Sequence, residues 1–181
     1  MKRSALIFIG LCLILFISYS FRHRGMTTAE QKSSHDTYDT VDDSMMEMKV
    51  NDLKQYGGDQ YVVELEPKKG KQDHILPVVI GTCEITALYD EINNKKSVRP
   101  LTYDLVTTIF KAVDVKIKKI SITMLKDGVY YAVITMDSKG KTLDIDSRPS
   151  DALNLALRAK APIFLAKTVW NEAKELKQSG H

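Results

Sequence analysis

The chain has few of the residues that build the commonest disulfide and metal sites. Only two of its 181 residues are cysteines, and only Cys83 lies outside an apolar stretch near the start, so the folded part has no internal disulfide. Its four histidines are scattered: His23 and His35 fall in a polar stretch, His74 stands alone, and His181 is the last residue. A histidine-based metal site or catalytic triad is therefore not expected.

Several common signatures of catalysis and cofactor binding are also missing. There is no Walker loop, no His-Glu-x-x-His, no Cys-x-x-Cys and no Gly-x-Ser-x-Gly. The formal net charge of +3 is modest, whereas a dedicated nucleic-acid binder is usually more basic, with clustered charge. Charge alone therefore neither supports nor excludes nucleic acid. The chemistry left to consider is that of carboxylates, arginines and hydroxyls.

The first 24 residues predict a signal peptide or a membrane anchor. Residues 5–21 are nearly all apolar and are flanked by basic residues on both sides. As a helix they would span about 25 Å against roughly 30 Å of hydrocarbon, which is marginal for a membrane span. Ser18 and Ser20 would suit a signal-peptide cleavage site. We favour the anchor, with the domain exported or held at the inner membrane, outside the cytoplasm. Residues 25–44, polar and without a period, predict a flexible tether.

Residues 45–177 predict a single α+β domain. Apolar alternation indicates strands and apolar residues at helical spacing indicate helices, in the order three strands, two helices, three strands, helix, strand, helix. This order is typical of a mixed β-sheet with about four helices rather than a doubly wound sheet. A phase slip near Lys118-Lys119 predicts a β-bulge, and Lys126-Asp-Gly128 predicts a hairpin turn.

One segment combines groups that suit phosphate chemistry. Strand-like alternation gives way to helical spacing at Pro149, so Asp146, Arg148, Ser150 and Asp151 come together at a strand-to-helix join. Such a join presents backbone N–H groups, a fixed cation and carboxylates in one place. Phosphate chemistry can use all three.

A second segment, Arg99-Pro-Leu-Thr-Tyr-Asp-Leu105, has a similar order of residue types. Thr102 is the expected N-cap of the following helix, and Asp104 in the first turn favours the positive end of the helix dipole. Glu84, at another helix start, is interpreted as a capping or dipole residue. A purely structural interpretation stays open for both segments, because Ser, Thr and Asp at helix starts are usually caps and Arg beside Asp often forms only an ion pair.

With these motifs the chain resembles the bifunctional nuclease domain family of bacteria and plants, named for cleavage of both DNA and RNA. The resemblance rests on Arg99-Pro-Leu-Thr-Tyr-Asp-Leu105 and on Asp146-Ser-Arg-Pro-Ser-Asp-Ala152, and it covers roughly Met45 to Lys177. It implies a nuclease with little sequence specificity and assembly into a homo-oligomer. One position departs from the family, which usually has His where this chain has Tyr103. A phenol is a poor base near neutral pH.

The resemblance and the residue chemistry together give candidate site residues. Carboxylates can hold a divalent cation such as Mg²⁺, which activates water and stabilises the leaving oxygen of a phosphodiester. Arginine can clamp phosphate oxygens in a bidentate way. The predicted roles are catalysis by Asp104, Asp146 and Asp151, metal binding by Asp146 and Asp151, and substrate binding by Arg99, Arg148, Ser150 and Thr102.

Two functions of different class are consistent with the sequence. The first is a nuclease acting on DNA or RNA phosphodiesters. The second is a non-catalytic, membrane-tethered binding or assembly module that keeps the family fold. The retained Arg148-Pro-Ser-Asp151 favours the nuclease, whereas Tyr103 and the modest charge favour the module. The expected partners are DNA or RNA, a membrane through the N-terminal segment, and further copies of the chain.

Overall fold

The apolar patterns of the chain fold into seven strands and four helices within the part that the computed structural model describes, residues 43–70 and 74–178. In chain order the elements are β1 (Met45–Gly57), β2 (Gln60–Pro67), β3 (Leu76–Gly81), α1 (Thr82–Ile92), α2 (Thr102–Ala112), β4 (Val115–Lys126), β5 (Val129–Ser138), β6 (Lys141–Ser147), α3 (Pro149–Ala159), β7 (Ile163–Ala166) and α4 (Lys167–Gln178).

The strands form one mixed sheet in the order β3-β2-β1-β7-β4-β5-β6. β4 and β7 run parallel, and every other neighbouring pair is antiparallel. The short β7 pairs with β1 on one side and β4 on the other, so it joins two antiparallel units of three strands each. The predicted α+β class, with a mixed sheet and four helices, is confirmed.

The register of the sheet decides which side chains face the helices. Ile134 of β5 lies opposite Ile120 of β4 and opposite Ile145 of β6. Ile120 and Ile134 are buried, so this row belongs to the core side of the sheet. Successive residues of a strand point to opposite faces. Asp146, which pairs with Val133, therefore lies on the opposite, open face.

The core lies between the sheet and the helices. Leu65 and Leu76 from the first antiparallel unit, Ile122 from the second and Leu153 from α3 have no exposed surface. Burying such a side chain stabilises the fold by about 1.5–3 kcal/mol relative to leaving it exposed. α3 packs against α1, α2 and the sheet, so the core fixes the position of its first turn.

The predicted irregularities of the second antiparallel unit are present. The register between β4 and β5 shifts between Ile117 and Lys119, because Lys118 is an extra residue in β4. The hairpin turns at Asp127 and Gly128, whose φ angles of 52° and 75° suit a two-residue primed turn. The bulge and the tight hairpin that the sequence predicts are thus confirmed.

The predicted signal peptide or anchor, residues 1–24, lies outside the described residues. The same holds for the predicted tether, residues 25–44, except for its last two residues. None of the helices within residues 43–70 and 74–178 combines the length and the apolar character that crossing a membrane requires. β1 begins at Met45.

Candidate functional site

The first turns of α1 and α3 meet at one side of the domain, and the Tyr103 side chain from the first turn of α2 reaches them. α1 follows β3 directly after Gly81, and α3 begins shortly after β6 ends at Ser147. Pro149 is the first residue of α3, where its fixed φ suits the helix and its missing N–H leaves no hydrogen bond unmade. The side chains that form the cluster are Glu84, Tyr103, Asp104, Arg148, Asp151 and Arg158.

Arg148 is held by two carboxylates. Its Nε donates to Asp151 Oδ2 at 2.7 Å and its Nη2 donates to Asp151 Oδ1 at 3.0 Å, the bidentate geometry of strong arginine–carboxylate pairs. Nη2 also donates to Glu84 Oε1 at 3.0 Å. These bonds use three of the five guanidinium N–H groups, and the two on Nη1 donate to no group in the described part of the chain. Because the side chain is 66% exposed, those two groups remain available to a ligand.

Tyr103 completes the set of donors around Asp151. Its hydroxyl donates to Asp151 Oδ1 at 2.7 Å. Burial raises the pKa of Tyr103 well above its usual range, and the hydrogen bond to the carboxylate raises it further. Burial also acts to raise the pKa of Asp151, but the hydrogen bonds from Arg148 and Tyr103 outweigh it and the net shift is downward. Near neutral pH, Tyr103 is therefore a neutral donor and cannot serve as a base.

Arg158 forms a second, more deeply buried ion pair. Its side chain is only 6% exposed, and its Nε donates to Asp104 Oδ1 at 2.9 Å. Its Nη1 donates to Asn154 Oδ1 at 3.1 Å, and its Nη2 donates to the carbonyl oxygen of Ala87 at 3.2 Å. The guanidinium carbon also lies 5.4 Å from the centroid of the Tyr103 ring, within reach of a cation–π interaction. One side chain thus joins α1, α2 and α3.

Asp104 caps α2 in place of the predicted Thr102. Its Oδ2 accepts a hydrogen bond from the backbone N–H of Leu101 at 3.0 Å, and Leu101 is the N-cap residue. Thr102 is the first residue of the helix and is exposed, so the prediction of Thr102 as the N-cap is wrong. The hydrogen bond from Arg158 lowers the pKa of Asp104, burial opposes that shift, and the Leu101 N–H reinforces it. Both oxygens of Asp104 therefore have partners within the protein.

A cleft of about 460 Å³ lies beside Arg148. It is lined by residues of β3, of the β4–β5 hairpin and of the first turn of α3, among them Val129, Tyr130 and the buried Ser150. Glu84 and Arg148 supply its charged groups. The volume falls within the range of about 300–1,000 Å³ that is usual for ligand sites. The cluster therefore borders a space that a ligand can enter.

Three predicted site residues lie apart from this cleft. Asp146 projects from the open face of the sheet while α3 packs against the other face, so Asp146 and Asp151 do not converge. Arg99 lies in the exposed loop before α2, and Thr102 is exposed at the start of that helix. Of the predicted residues, Arg148 and Ser150 line the cleft and Asp151 is bound to Arg148, whereas Asp104 is paired with Arg158 in the last turn of α3.

Sequence reasoning underestimated Glu84 and gave Arg158 no role. Glu84, interpreted as a cap or dipole residue, binds Arg148 across 64 residues of sequence, which no local pattern predicts. Arg158 did carry a signal. Asp151, Asn154 and Arg158 stand at positions i, i+3 and i+7 of a helix whose residues after Ser150 are otherwise apolar, so they share one face.

The carboxylates near the cleft do not fit the predicted divalent cation. The sequence assigned that ion to Asp146 and Asp151, which lie on different sides of the sheet. Both oxygens of Asp151 accept hydrogen bonds from Arg148, and Glu84 Oε1 accepts another, so a cation would have to displace the guanidinium. Across residues 43–70 and 74–178, no three His, Cys, Asp or Glu side chains are grouped as a metal site requires.

Similarity to known proteins identifies the family. The sequence model of the bifunctional nuclease domain matches residues 63–178, more than half of the chain and all of the cluster. An uncharacterized protein of Mycobacterium tuberculosis is 31% identical over 106 residues, which are 59% of this chain and 63% of that protein.

Plant relatives share the same region. Bifunctional nuclease 1 of Oryza sativa subsp. japonica is 28% identical over 100 residues, covering 54% of this chain and 30% of its own length. Bifunctional nuclease 2 of Arabidopsis thaliana is 27% identical over 96 residues, covering 51% and 29%. This chain therefore spans less than two thirds of the length of each of these relatives. The resemblance carried by the two Arg-Pro motifs is confirmed, and the chain belongs to the bifunctional nuclease domain family.

Proposed function

We propose that this domain is a nuclease that hydrolyses phosphodiester bonds of DNA or RNA with little sequence specificity. Membership in the bifunctional nuclease domain family supports the reaction class. One observation on this chain carries the proposal: Arg148 is fixed by Asp151 and Glu84 beside a cleft, and two of its N–H groups remain available. A rigid guanidinium with available N–H groups is well suited to phosphate oxygens.

The role we assign to Arg148 is electrostatic. Negative charge on the phosphate oxygens must be stabilised as the phosphodiester reacts, and a cation fixed in advance does this without reorganising. The hydrogen bonds from Arg148 to Asp151 and Glu84 supply that fixed position. Contacts with phosphate carry no information about the base. Low sequence specificity follows from such a contact.

The charge around the cleft is close to balanced. Arg148 carries one positive charge, against the negative charges of Asp151 and Glu84. The N-termini of α1 and α3 both lie beside the cleft, and each contributes the equivalent of about half a positive charge. Phosphate binding therefore depends on directed N–H groups rather than on a strongly basic surface.

Glu84 is the carboxylate to which we assign proton transfer. It lines the cleft, and its Oε1 already accepts a hydrogen bond from Arg148. Its Oε2 folds back over Gly81, where an added Cβ would lie 2.8 Å from that oxygen and would make the carboxylate shift. A carboxylate in this position can accept a proton from the water that attacks phosphorus. Tyr103 serves instead as a fixed donor to Asp151.

The proposal is tested with the full chain on supercoiled plasmid and on single-stranded RNA, each with and without a chelator. We expect Arg148→Ala to slow cleavage by about 100–1,000-fold, the usual effect of removing a group that stabilises transition-state charge. Lys96→Ala, which removes a positive charge from an exposed loop, is the control and should cleave like the unmodified chain. Equal rates for the unmodified chain and Arg148→Ala would contradict the proposal.

The runner-up function is a non-catalytic, membrane-tethered binding or assembly module with the family fold. One specific observation favours it: both oxygens of Asp151 are engaged by protein donors, one of them Tyr103, which stands where the family usually has His. A chain that binds these substrates in fluorescence anisotropy but forms no cleavage product, with or without the chelator, would support the module.

We further propose that the domain self-associates through α2. The helix has no buried residue, and exposed apolar side chains of the helix and of its two cap residues follow one another at intervals of four. They form a stripe along one face, each member 40–54% exposed: Leu101, Leu105, Ile109 and Val113. A continuous exposed apolar stripe on a helix typically marks an interaction surface. A second copy of the chain is the partner that we propose.

The location of the domain remains a prediction from the N-terminal sequence. We propose that residues 1–24 export the domain or anchor it at the inner membrane, with the domain outside the cytoplasm. Cells are treated so that their outer layer is permeable and their inner membrane stays intact. Added protease should then digest the domain. Protection of the domain until the inner membrane is broken would contradict this location.

A further inference from the structure

The cleft beside Arg148 has a property that phosphate binding does not use. Besides its few charged groups, the cleft is lined by apolar side chains, among them the exposed Val79 and Val129 and the partly buried Tyr130. Val129 is 55% exposed even though it lines the cleft, so part of this apolar lining faces solvent. Covering apolar surface that is in contact with water is favourable for any ligand that fits it.

We infer that this cleft binds an unpaired nucleobase, so that the domain prefers single-stranded nucleic acid to duplex; the inference rests on the proposed function. When a phosphate is bound at Arg148, the neighbouring base of a flexible strand can enter the adjacent cleft. Its flat faces then bury against Tyr130 and the aliphatic side chains. Every base has such faces, so the contact tolerates sequence variation.

A duplex cannot use the cleft in this way. Its bases are stacked and paired, and bringing one into a pocket requires flipping it out of the helix, at the cost of unstacking and unpairing. In a single strand the base is already unpaired, so no base pair has to be broken before the base enters the cleft. The apolar lining therefore favours the single strand even if both forms contact Arg148 equally well.

The part of the open face formed by β1 and β2 supports the same preference. Lysines on β1 are paired with glutamates on β2: Lys49 with Glu66 at 2.8 Å, and Lys54 with Glu64 at 2.7 Å. Duplex binding without sequence specificity depends on basic side chains that are free to neutralise successive phosphates. Lysines already neutralised by neighbouring carboxylates contribute little to such a track, so the part of the open face formed by β1 and β2 is poorly suited to a duplex.

The test is fluorescence anisotropy with the full chain, a labelled single-stranded DNA oligonucleotide and the same strand annealed to its complement. Val129→Glu places a charge in the lining of the cleft, and Val98→Glu places the same charge on a side chain that is 99% exposed in the loop before α2. Both sites are open enough for the fold to accept the change, which thermal unfolding verifies.

We expect the unmodified chain to bind the single strand about tenfold more tightly than the duplex, in line with the contribution of one stacked base. Val129→Glu should remove most of this difference by weakening single-strand binding. Val98→Glu should bind both forms like the unmodified chain.

Equal affinity for the two oligonucleotides, or unchanged single-strand binding by Val129→Glu, would overturn the inference. Product formation is followed on the same samples by gel electrophoresis. Cleavage of both oligonucleotides at equal rates would overturn the preference and leave the nuclease function standing. Preferential single-strand binding without product would support the base-binding cleft and count against the nuclease.

Discussion

Replacing Asp151 with Asn tests how the cluster is held together, because the change removes a charge and nearly preserves the shape. Asp151 accepts two hydrogen bonds from Arg148, at 2.7 and 3.0 Å, and one from Tyr103 at 2.7 Å. An Asn side chain has one acceptor oxygen and one NH₂ group. The NH₂ group would face an N–H donor or the Tyr103 hydroxyl, so Asp151→Asn loses at least one hydrogen bond and the attraction between the charges.

The expected loss of stability is about 2 kcal/mol. Breaking one side of a buried ion pair costs about 3–5 kcal/mol, but the side chains of Arg148 and Asp151 are 66% and 30% exposed, so the unpaired guanidinium stays hydrated. An exposed pair contributes only about 0.2–1 kcal/mol, and the weakened bond from Tyr103 adds about 1 kcal/mol. A loss near 2 kcal/mol corresponds to a Tm lower by about 5–8 °C for a domain of this size.

Asp146→Asn is the matched control. It makes the same chemical change five residues earlier, on the exposed open face of the sheet, and should alter stability by less than about 0.5 kcal/mol. Thermal and urea unfolding, together with plasmid nicking, are measured on both variants. If Asp146 and Asp151 acted as a pair, both variants would lose nicking alike. An unchanged Tm for Asp151→Asn would refute the proposed role of Asp151 in holding the cluster.

The same contacts make the stability of the domain depend on pH. Although burial acts in the other direction, the hydrogen bonds from Arg148 and Tyr103 keep the pKa of Asp151 below its usual value of 3.8. A lowered pKa in the folded state gives stability that is fully present above the unfolded pKa and is lost as the pH falls through the folded pKa. The stability difference between the unmodified chain and Asp151→Asn should therefore be constant above about pH 5 and shrink below about pH 4.

Three further substitutions probe the neighbouring contacts. Tyr103→Phe removes the hydroxyl that donates to the adjacent carboxylate and should lower the free energy of unfolding by about 1 kcal/mol; urea unfolding unchanged from the native chain would argue against that bond. Arg158→Lys removes the nearly buried planar guanidinium that joins Asp104 to the other helices. It should lower the free energy of unfolding by about 2–4 kcal/mol in the same assay. Leu105→Glu should turn a self-associated domain into a monomer in sedimentation at micromolar concentration, with Val98→Glu as the control; an unmodified domain that sediments only as a monomer would remove the proposed association.

The fold was predictable because its elements carry their own local patterns. In β3, Leu76, Val78 and Ile80 are buried and the residues between them are exposed, the alternation that indicates a strand. The bulge at Lys118 was readable because an extra residue shifts the phase of the alternation. The order of strands in the sheet is a different matter. No local pattern reveals that the short β7 lies between β1 and β4.

The site was only partly predictable, and Asp146 shows why. The sequence groups it with Asp151 because the two are close along the chain. Strand phase separates them, since Ile145 lies opposite the buried Ile134 on one face of the sheet and Asp146 therefore points to the other face. That phase is present in the sequence and could have excluded Asp146. The bond from Arg148 to Glu84 could not have been predicted in this way, because it depends on where topology brings α1 and α3 together.

The two arginines of the cluster divide its structural and functional roles. Arg158 is 6% exposed and already joins the three helices, so a second arginine is not needed to hold them together. Arg148 is 66% exposed, and it already has a bidentate partner in Asp151. A second carboxylate, Glu84, adds little to the stability of so exposed a cation, but it fixes the orientation of the guanidinium and leaves Nη1 available beside the cleft. Arg158→Lys should therefore lower stability more than Arg148→Lys, whereas Arg148→Lys should weaken nucleic-acid binding more. The reverse order in urea unfolding and anisotropy would refute this division.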